Sequence, residues 1–185
     1  MINDVMNDAD AKMSKSVEAT REDFATIRAG RANPAMFAKI TADYYGTQTP
    51  LQQLASFTSQ DARTILIQPF DIGAMGAIER AIRDSDLGVN PANDGKVLRC
   101  VFPELTEERR KEFIKLARAK AEDGRVSVRN VRRTAKQALE KLEKDGEVGK
   151  DDVTGAEKRL DATTKTHTDK IDELLKHKEA ELLEV

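Results

Sequence analysis

All five prolines of this 185-residue chain fall between positions 34 and 103. A proline lacks the N–H that a helix needs and its ring collides with the preceding turn, so long helices are confined to residues 1–33 and 104–185. In residues 3–29, Met6, Met13, Val17, Thr20, Phe24 and Ile27 recur mostly at intervals of three and four, the spacing of one buried helical stripe. "GRANP" then stops the pattern: Gly30 ends helices readily and Pro34 biases Asn33 away from helical geometry. After Pro103, Thr106 is placed to cap a new helix, with Glu107 and Glu108 in its first turn where the helix dipole favours negative charge. Its stripe runs through Phe113, Ala117, Ala121, Gly124, Val128, Val131, Ala135, Ala138 and Leu142. "KDGEVGKDD" interrupts it, and a last helix from about Asp152 to Leu183 turns Val153, Ala156, Leu160, His167, Ile171, Leu174 and Leu182 inward. Three such amphipathic helices bury their stripes best as a bundle.

The middle has a different texture. "KITADYY" (39–45), "QLASFT" (53–58), "TILIQP" (64–69) and "KVLRCVF" (96–102) read as strands bounded by Gly, Pro, Asn and Asp. "GAMGAIERAIRDSDLG" places Met75, Ile78 and Ile82 on one helical face. The expected class is therefore α+β: a three-helix bundle from residues 1–30 and 104–185, with a small α/β, β-rich domain inserted at 31–103. Two passages of chain, near Gly30 and Pro103, join the parts. Such a neck can hinge or can be stiff, and the sequence leaves both open.

Composition narrows the chemistry. The single cysteine, Cys100, cannot form an internal disulfide, and no thiolate zinc site can be assembled from it and two histidines. The opening "MINDVMNDADAKM" is acidic where a secretory signal is basic, and no apolar run approaches membrane-spanning length. A cytoplasmic protein with no membrane partner is expected. No phosphate loop, dinucleotide fingerprint or H-E-x-x-H motif is present, and no carboxylate pair stands out as acid and base. The sequence thus offers no catalytic residue, metal ligand or cofactor site. "GAMG" (73–76) resembles a nucleic-acid clamp only weakly and reads better as a flexible helix start, while His167 reads as a hydrogen-bonded core histidine.

The formal net charge of -2 conceals a strong local field. From Arg109 to Lys136 eleven basic residues face three acids, whereas from Glu140 onward nine face fourteen. At about 100° per residue, Lys111, Lys115, Arg118, Arg125, Arg129, Arg132 and Lys136 align within roughly 100° of arc, about 120° from the apolar stripe and over about 38 Å. Arg133 borders this line, and Arg110 lies at the helix start. Like charges repeat at i, i+4 and i+7, which costs helix stability instead of adding to it. Arginine forks match phosphate oxygens, and a straight basic face with few base-reading or stacking groups suits structured RNA better than duplex DNA or single strands. Two alternatives stand beside this one. The acidic third helix can neutralise the stripe across the bundle, or the stripe can dock on an acidic protein.

"IRAGRANP" (27–34), "YYGTQTPLQQLA" (44–55), "SDLGVNP" (85–91), "LTEERRKE" (105–112) and "RVSVRNVRR" (125–133) together resemble the bacterial ribosome recycling factors, in order and over essentially the whole chain. The resemblance implies an elongated, L-shaped molecule: an antiparallel three-helix bundle hinged to its inserted domain. It implies a monomeric translation factor, not an enzyme, that binds the post-termination ribosome with its bundle on large-subunit ribosomal RNA. Elongation factor G, hydrolysing GTP, would help it split the subunits and release messenger and transfer RNA. It further implies that Arg110, Arg129 and Arg132 contact RNA, joined on the same face by Arg118, Arg125 and Arg133, and that Arg28, Gly30, Arg31 and Pro103 form the neck. Two positions depart from the family pattern: Gly124 replaces a better helix former, at a cost of about 1 kcal/mol in a helix interior, and Thr134 replaces a common Asp.

Overall fold

The structure is a computed structural model that describes residues 1–184, and these form two compact units. The first contains Met1–Phe24 and Ile114–Ala180. It is built from helices α1 (Ile2–Thr26), α4 (Glu107–Lys144) and α5 (Lys150–Leu183). Ser16 meets Ser127 and Thr20 meets Gly124, so numbers rise on α1 as they fall on α4. Arg118, Arg125 and Arg132 meet Glu179, Asp172 and Asp161 in turn, so α4 and α5 are antiparallel as well. The Thr106 hydroxyl accepts from the Arg109 amide at 3.1 Å, capping α4 where the sequence places the cap.

The inward stripes follow the predicted spacing with additions, while Met6, Phe113, Val131, Ala138, Leu142 and Leu174 are only partly buried. Met13, Val17, Thr20 and Phe24 of α1, Ala117, Ala121, Gly124, Val128, Ala135 and Leu139 of α4, and Val153, Ala156, Leu160, Thr164, His167 and Ile171 of α5 are buried. Small residues dominate the α4 stripe, which lets α1 come close. A β-carbon added to Gly124 would collide with Thr20 Oγ1 and lie 3.1 Å from Ile171 Cδ1. The glycine that looks costly in the sequence is the residue that allows the crossing. Thr20 cannot yield freely, because it is buried and donates to the Ser16 carbonyl at 3.0 Å.

The second unit gathers residues 25–113, with the end of α5. A four-stranded antiparallel sheet has the order β3 (Ala55–Ser59), β4 (Thr64–Pro69), β6 (Leu98–Val101), β5 (Ala92–Asn93). A separate hairpin pairs β1 (Thr41–Tyr44) with β2 (Thr47–Pro50), followed by one helical turn, α2 (Leu51–Leu54). Helix α3 (Met75–Arg83) buries Met75, Ile78 and Ile82. They join Phe37, Leu51, Ile65, Ile67, Leu98 and Phe102 in one core.

Some boundaries differ from those read in the sequence. Helix α1 ends at Thr26, before residue 29, and the chain beyond it enters the second unit, where Ala32 is buried and its amide donates to the Ala62 carbonyl at 2.8 Å. The segment 39–45 yields only a four-residue strand, since Tyr45 and Gly46 take positive φ values of 50° and 86° and make the tight turn of the hairpin. Strand β2 is polar and ends in proline, so its sequence gave no strand signal. Gln53 and Leu54 belong to α2 and not to the strand that follows.

The crossing at Gly124 generates a prediction. Gly124→Ala should lower stability by about 1–3 kcal/mol in denaturant titration despite its better helix propensity, because overpacking outweighs the propensity gain. Adding Thr20→Ala should recover most of that loss.

Candidate nucleic-acid interface

Helix α4 carries every sequence-predicted RNA contact, and the structure sorts them into distinct settings. Arg118, Arg125 and Arg132 recur every seventh residue, just under two helical turns. Each bonds an acid on α5 through Nε: Arg118 with Glu179 Oε1 at 2.7 Å, Arg125 with Asp172 Oδ1 at 2.6 Å and Arg132 with Asp161 Oδ1 at 2.7 Å. On α5 these acids stand seven and eleven residues apart, two and three turns, so they share one line facing the arginines.

This corrects the expectation of a wholly open ridge. Three of its members fold toward the acidic neighbour, since α5 is antiparallel to α4 and carries an acid opposite each. The correction is graded. The Arg125 side chain is only 20% exposed, whereas Arg132 keeps 38% and Arg118 66%. Burial alone would lower the Arg125 guanidinium, but its bonds to Asp172 and Glu122 outweigh this and raise it, so it is a fixed cation.

The remaining arginines have partners on α4 itself. Glu122 bridges two of them, Oε2 accepting from Arg125 Nη1 at 3.0 Å and Oε1 from Arg129 Nη1 at 3.1 Å. Those two bonds, from Arg125 first and then Arg129, hold the Glu122 carboxyl below its ordinary pKa. Arg129 remains 56% exposed. Arg133 donates to Asn130 Oδ1 at 2.8 Å. Exposed pairs of this kind are each worth about 0–1 kcal/mol, so these cations can change partners at little cost.

The neck residues lie elsewhere, within the second unit. Gly30, Arg31 and Pro103 are exposed. Arg28 is buried, with its guanidinium 5.6 Å from the Phe102 ring centre. Burial, and then the charges of Arg63 and Arg109, lower it from its ordinary value. Its Nε and Nη2, and Arg110 Nε, have no hydrogen-bond partner among the described residues. The setting of Arg28 is therefore that of a packed joint residue and not of an open phosphate contact.

What the sequence reading passed over is the identity of Asp161, Asp172 and Glu179. Their spacing of eleven and seven was the available signal, but it becomes meaningful only once α5 is known to lie beside that edge of α4. The other polar candidates resolve simply. His167 is a buried histidine whose Nε2 lies 2.8 Å from Asp10 Oδ1. Asp71 caps the turn before α3 by accepting from the Gly73 amide, which explains the "GAMG" segment as a helix start. Burial pushes the Cys100 thiol up to about 11, unsuited to nucleophilic work. Among the described residues no group of His, Cys, Asp and Glu could hold a metal ion, and no helix is long and apolar enough to cross a membrane.

The chain is thus a mixed α+β protein whose helical unit presents a partly paired arginine face. The family model described as ribosome recycling factor matches residues 20–183, and the chain belongs to that family. A ribosome-recycling factor of Nocardioides sp. is 77% identical over 185 residues, covering all of both chains, and one of Acidothermus cellulolyticus is 63% identical over the same span. A solution structure of a ribosome recycling factor superposes with a TM-score of 0.76 at 38% identity, covering 100% of this chain and 98% of that one. Models for the T. thermophilus ribosome recycling factor and the E. coli elongation factor G bound to the E. coli post-termination complex give 0.66 at 41% identity, with full coverage of both chains.

The bridged carboxylate yields a pH prediction. Because the folded pKa of Glu122 is depressed, its pairing is complete above the ordinary glutamate value and is lost as pH falls through the lower folded one. A carboxyl-detected NMR titration should place its midpoint below the usual glutamate value of about 4.3, and Arg125→Ala with Arg129→Ala should return it there.

Proposed function

We propose that this chain binds the post-termination ribosome through large-subunit ribosomal RNA. Together with elongation factor G, which hydrolyses GTP, it splits the subunits and frees messenger and transfer RNA for another round of translation. The RNA contacts are Arg110, Arg118, Arg125, Arg129, Arg132 and Arg133. Residues 1–30 and 104–185 act as the RNA-binding part and 31–103 as the inserted domain, with Arg28, Gly30, Arg31 and Pro103 as the connecting neck. The chain works as a cytoplasmic monomer, without a cofactor and without catalysis of its own. The energy is the partner's, in keeping with a sequence that contains no nucleotide-binding loop.

The observation that carries this reading is the concentration of exposed guanidinium groups along one 38-residue helix, in a chain that belongs to the recycling-factor family. Membership supplies the reaction; the helix face supplies the phosphate contacts. Guanidinium forks bind phosphate bidentately, and each phosphate neutralised releases counterions. The α5 acids soften this field without abolishing it, since Arg118, Arg129 and Arg132 keep over a third of their side-chain surface in water.

Arg132→Ala should keep the helical circular dichroism of the parent and yet bind large subunits at least tenfold more weakly in sedimentation. Binding of the parent should weaken steeply between low and physiological salt. Undiminished binding by Arg132→Ala, or a flat salt response, would refute the RNA contact. Splitting of post-termination ribosomes should require this chain, the GTPase and GTP together.

A further inference from the structure

The partners of Arg118, Arg125 and Arg132 are more regular than bundle stability requires. One acid of α5 faces each arginine, at 2.6–2.7 Å through Nε, and Arg125 has Glu122 of α4 besides. Arg129 and Arg133, on the same helix, make do with Glu122 and Asn130 of α4. We propose that Asp161, Asp172 and Glu179 set the selectivity of the α4 face. They mask three of its arginines against polyanions in general, while holding the guanidinium groups in register for a matching array of phosphates on structured RNA. This rests on the RNA-binding reading above.

The chemistry allows both halves. A guanidinium has five N–H donors in one plane and a single carboxylate uses at most two, so a held arginine can still receive a phosphate oxygen on its other edge. Holding removes part of the rotamer entropy that a free arginine loses on binding. The successive arginines stand about 10.5 Å apart along α4, which makes the array discriminating: a ligand must offer phosphates at that interval to engage all three. A polyanion that cannot do so meets a face of three cations and three anions, with no net attraction from these pairs. A purely structural role for the acids predicts the opposite emphasis, a large effect on folding and none on RNA, and exposed pairs are too weak to make that role the main one.

The experiment compares the full chain with its Asp161→Asn, Asp172→Asn, Glu179→Gln triple variant. Both are titrated against a random-sequence duplex RNA and against large ribosomal subunits at several salt concentrations. The slope of log affinity against log salt is about -0.9 per phosphate neutralised on a duplex. Arg118 and Arg132 are then unmasked, while Arg125 keeps Glu122, so the slope should steepen by about 2 on duplex RNA and duplex affinity at low salt should rise by roughly tenfold or more. Affinity for large subunits should rise by less, so the ratio of subunit to duplex binding falls. An unchanged slope and unchanged duplex affinity, with a lowered melting temperature, would overturn the proposal and leave the acids as a staple between helices. Should the triple variant misfold, Asp161→Asn alone should steepen the slope by about one, and no steepening there would also overturn it. Failure of the parent reading looks different: the unmodified chain would then not bind large subunits at any salt, whatever the variants do on duplex RNA.

Discussion

Helix α4 is held on one side by a stripe of small, buried residues and on another by three arginine–carboxylate pairs to α5. Ala117, Ala121, Gly124 and Val128 present almost no side chain to the core, and at Gly124 not even a methyl group would fit beside Thr20 and Ile171. Along the edge of the same helix, arginine side chains reach carboxylates on α5 and form charge-assisted bonds of 2.6–2.7 Å.

That pairing lets a slightly acidic chain carry a strongly basic helix. Like charges stacked along α4 oppose helix formation, and the carboxylates of α5 together with Glu122 offset that repulsion in the free protein. The pairs of Arg118 and Arg132 are exposed enough to stabilise little and to exchange readily with solvent or with another oxyanion, whereas that of the more buried Arg125 is held more firmly. The second unit is organised on different terms, around an apolar core in which Phe37 lies 5.1 Å from Phe57 and 6.1 Å from Phe102. There Arg28 stacks over Phe102 in a buried position and serves packing.

Much of this was legible in the amino-acid order. The three long helices followed from apolar residues at three- and four-residue intervals outside the proline-bearing segment, and the cap at Thr106 from its place before Glu107 and Glu108. Strand β4 was readable at both ends because the apolar run Ile65–Ile67 sits between Thr64 and the terminating Pro69. Strand β2 was not, since four polar or proline residues are held in a ladder only by the pairing that the Tyr45–Gly46 turn imposes. The family, too, was readable, because five motif blocks stand in order along the chain.

By itself the sequence determined the class of the fold, the helix that carries the arginines and the angular position of each arginine on it: the first follows from the order of patterned segments along the chain, and the other two from the periodicity of one segment. Only the tertiary structure decided which of those arginines face a carboxylate, why position 124 must be glycine and why Arg28 is buried. Each of those depends on where a second element lies in space. A residue's own helix sets its direction, but its partner is set by packing between segments distant in the chain.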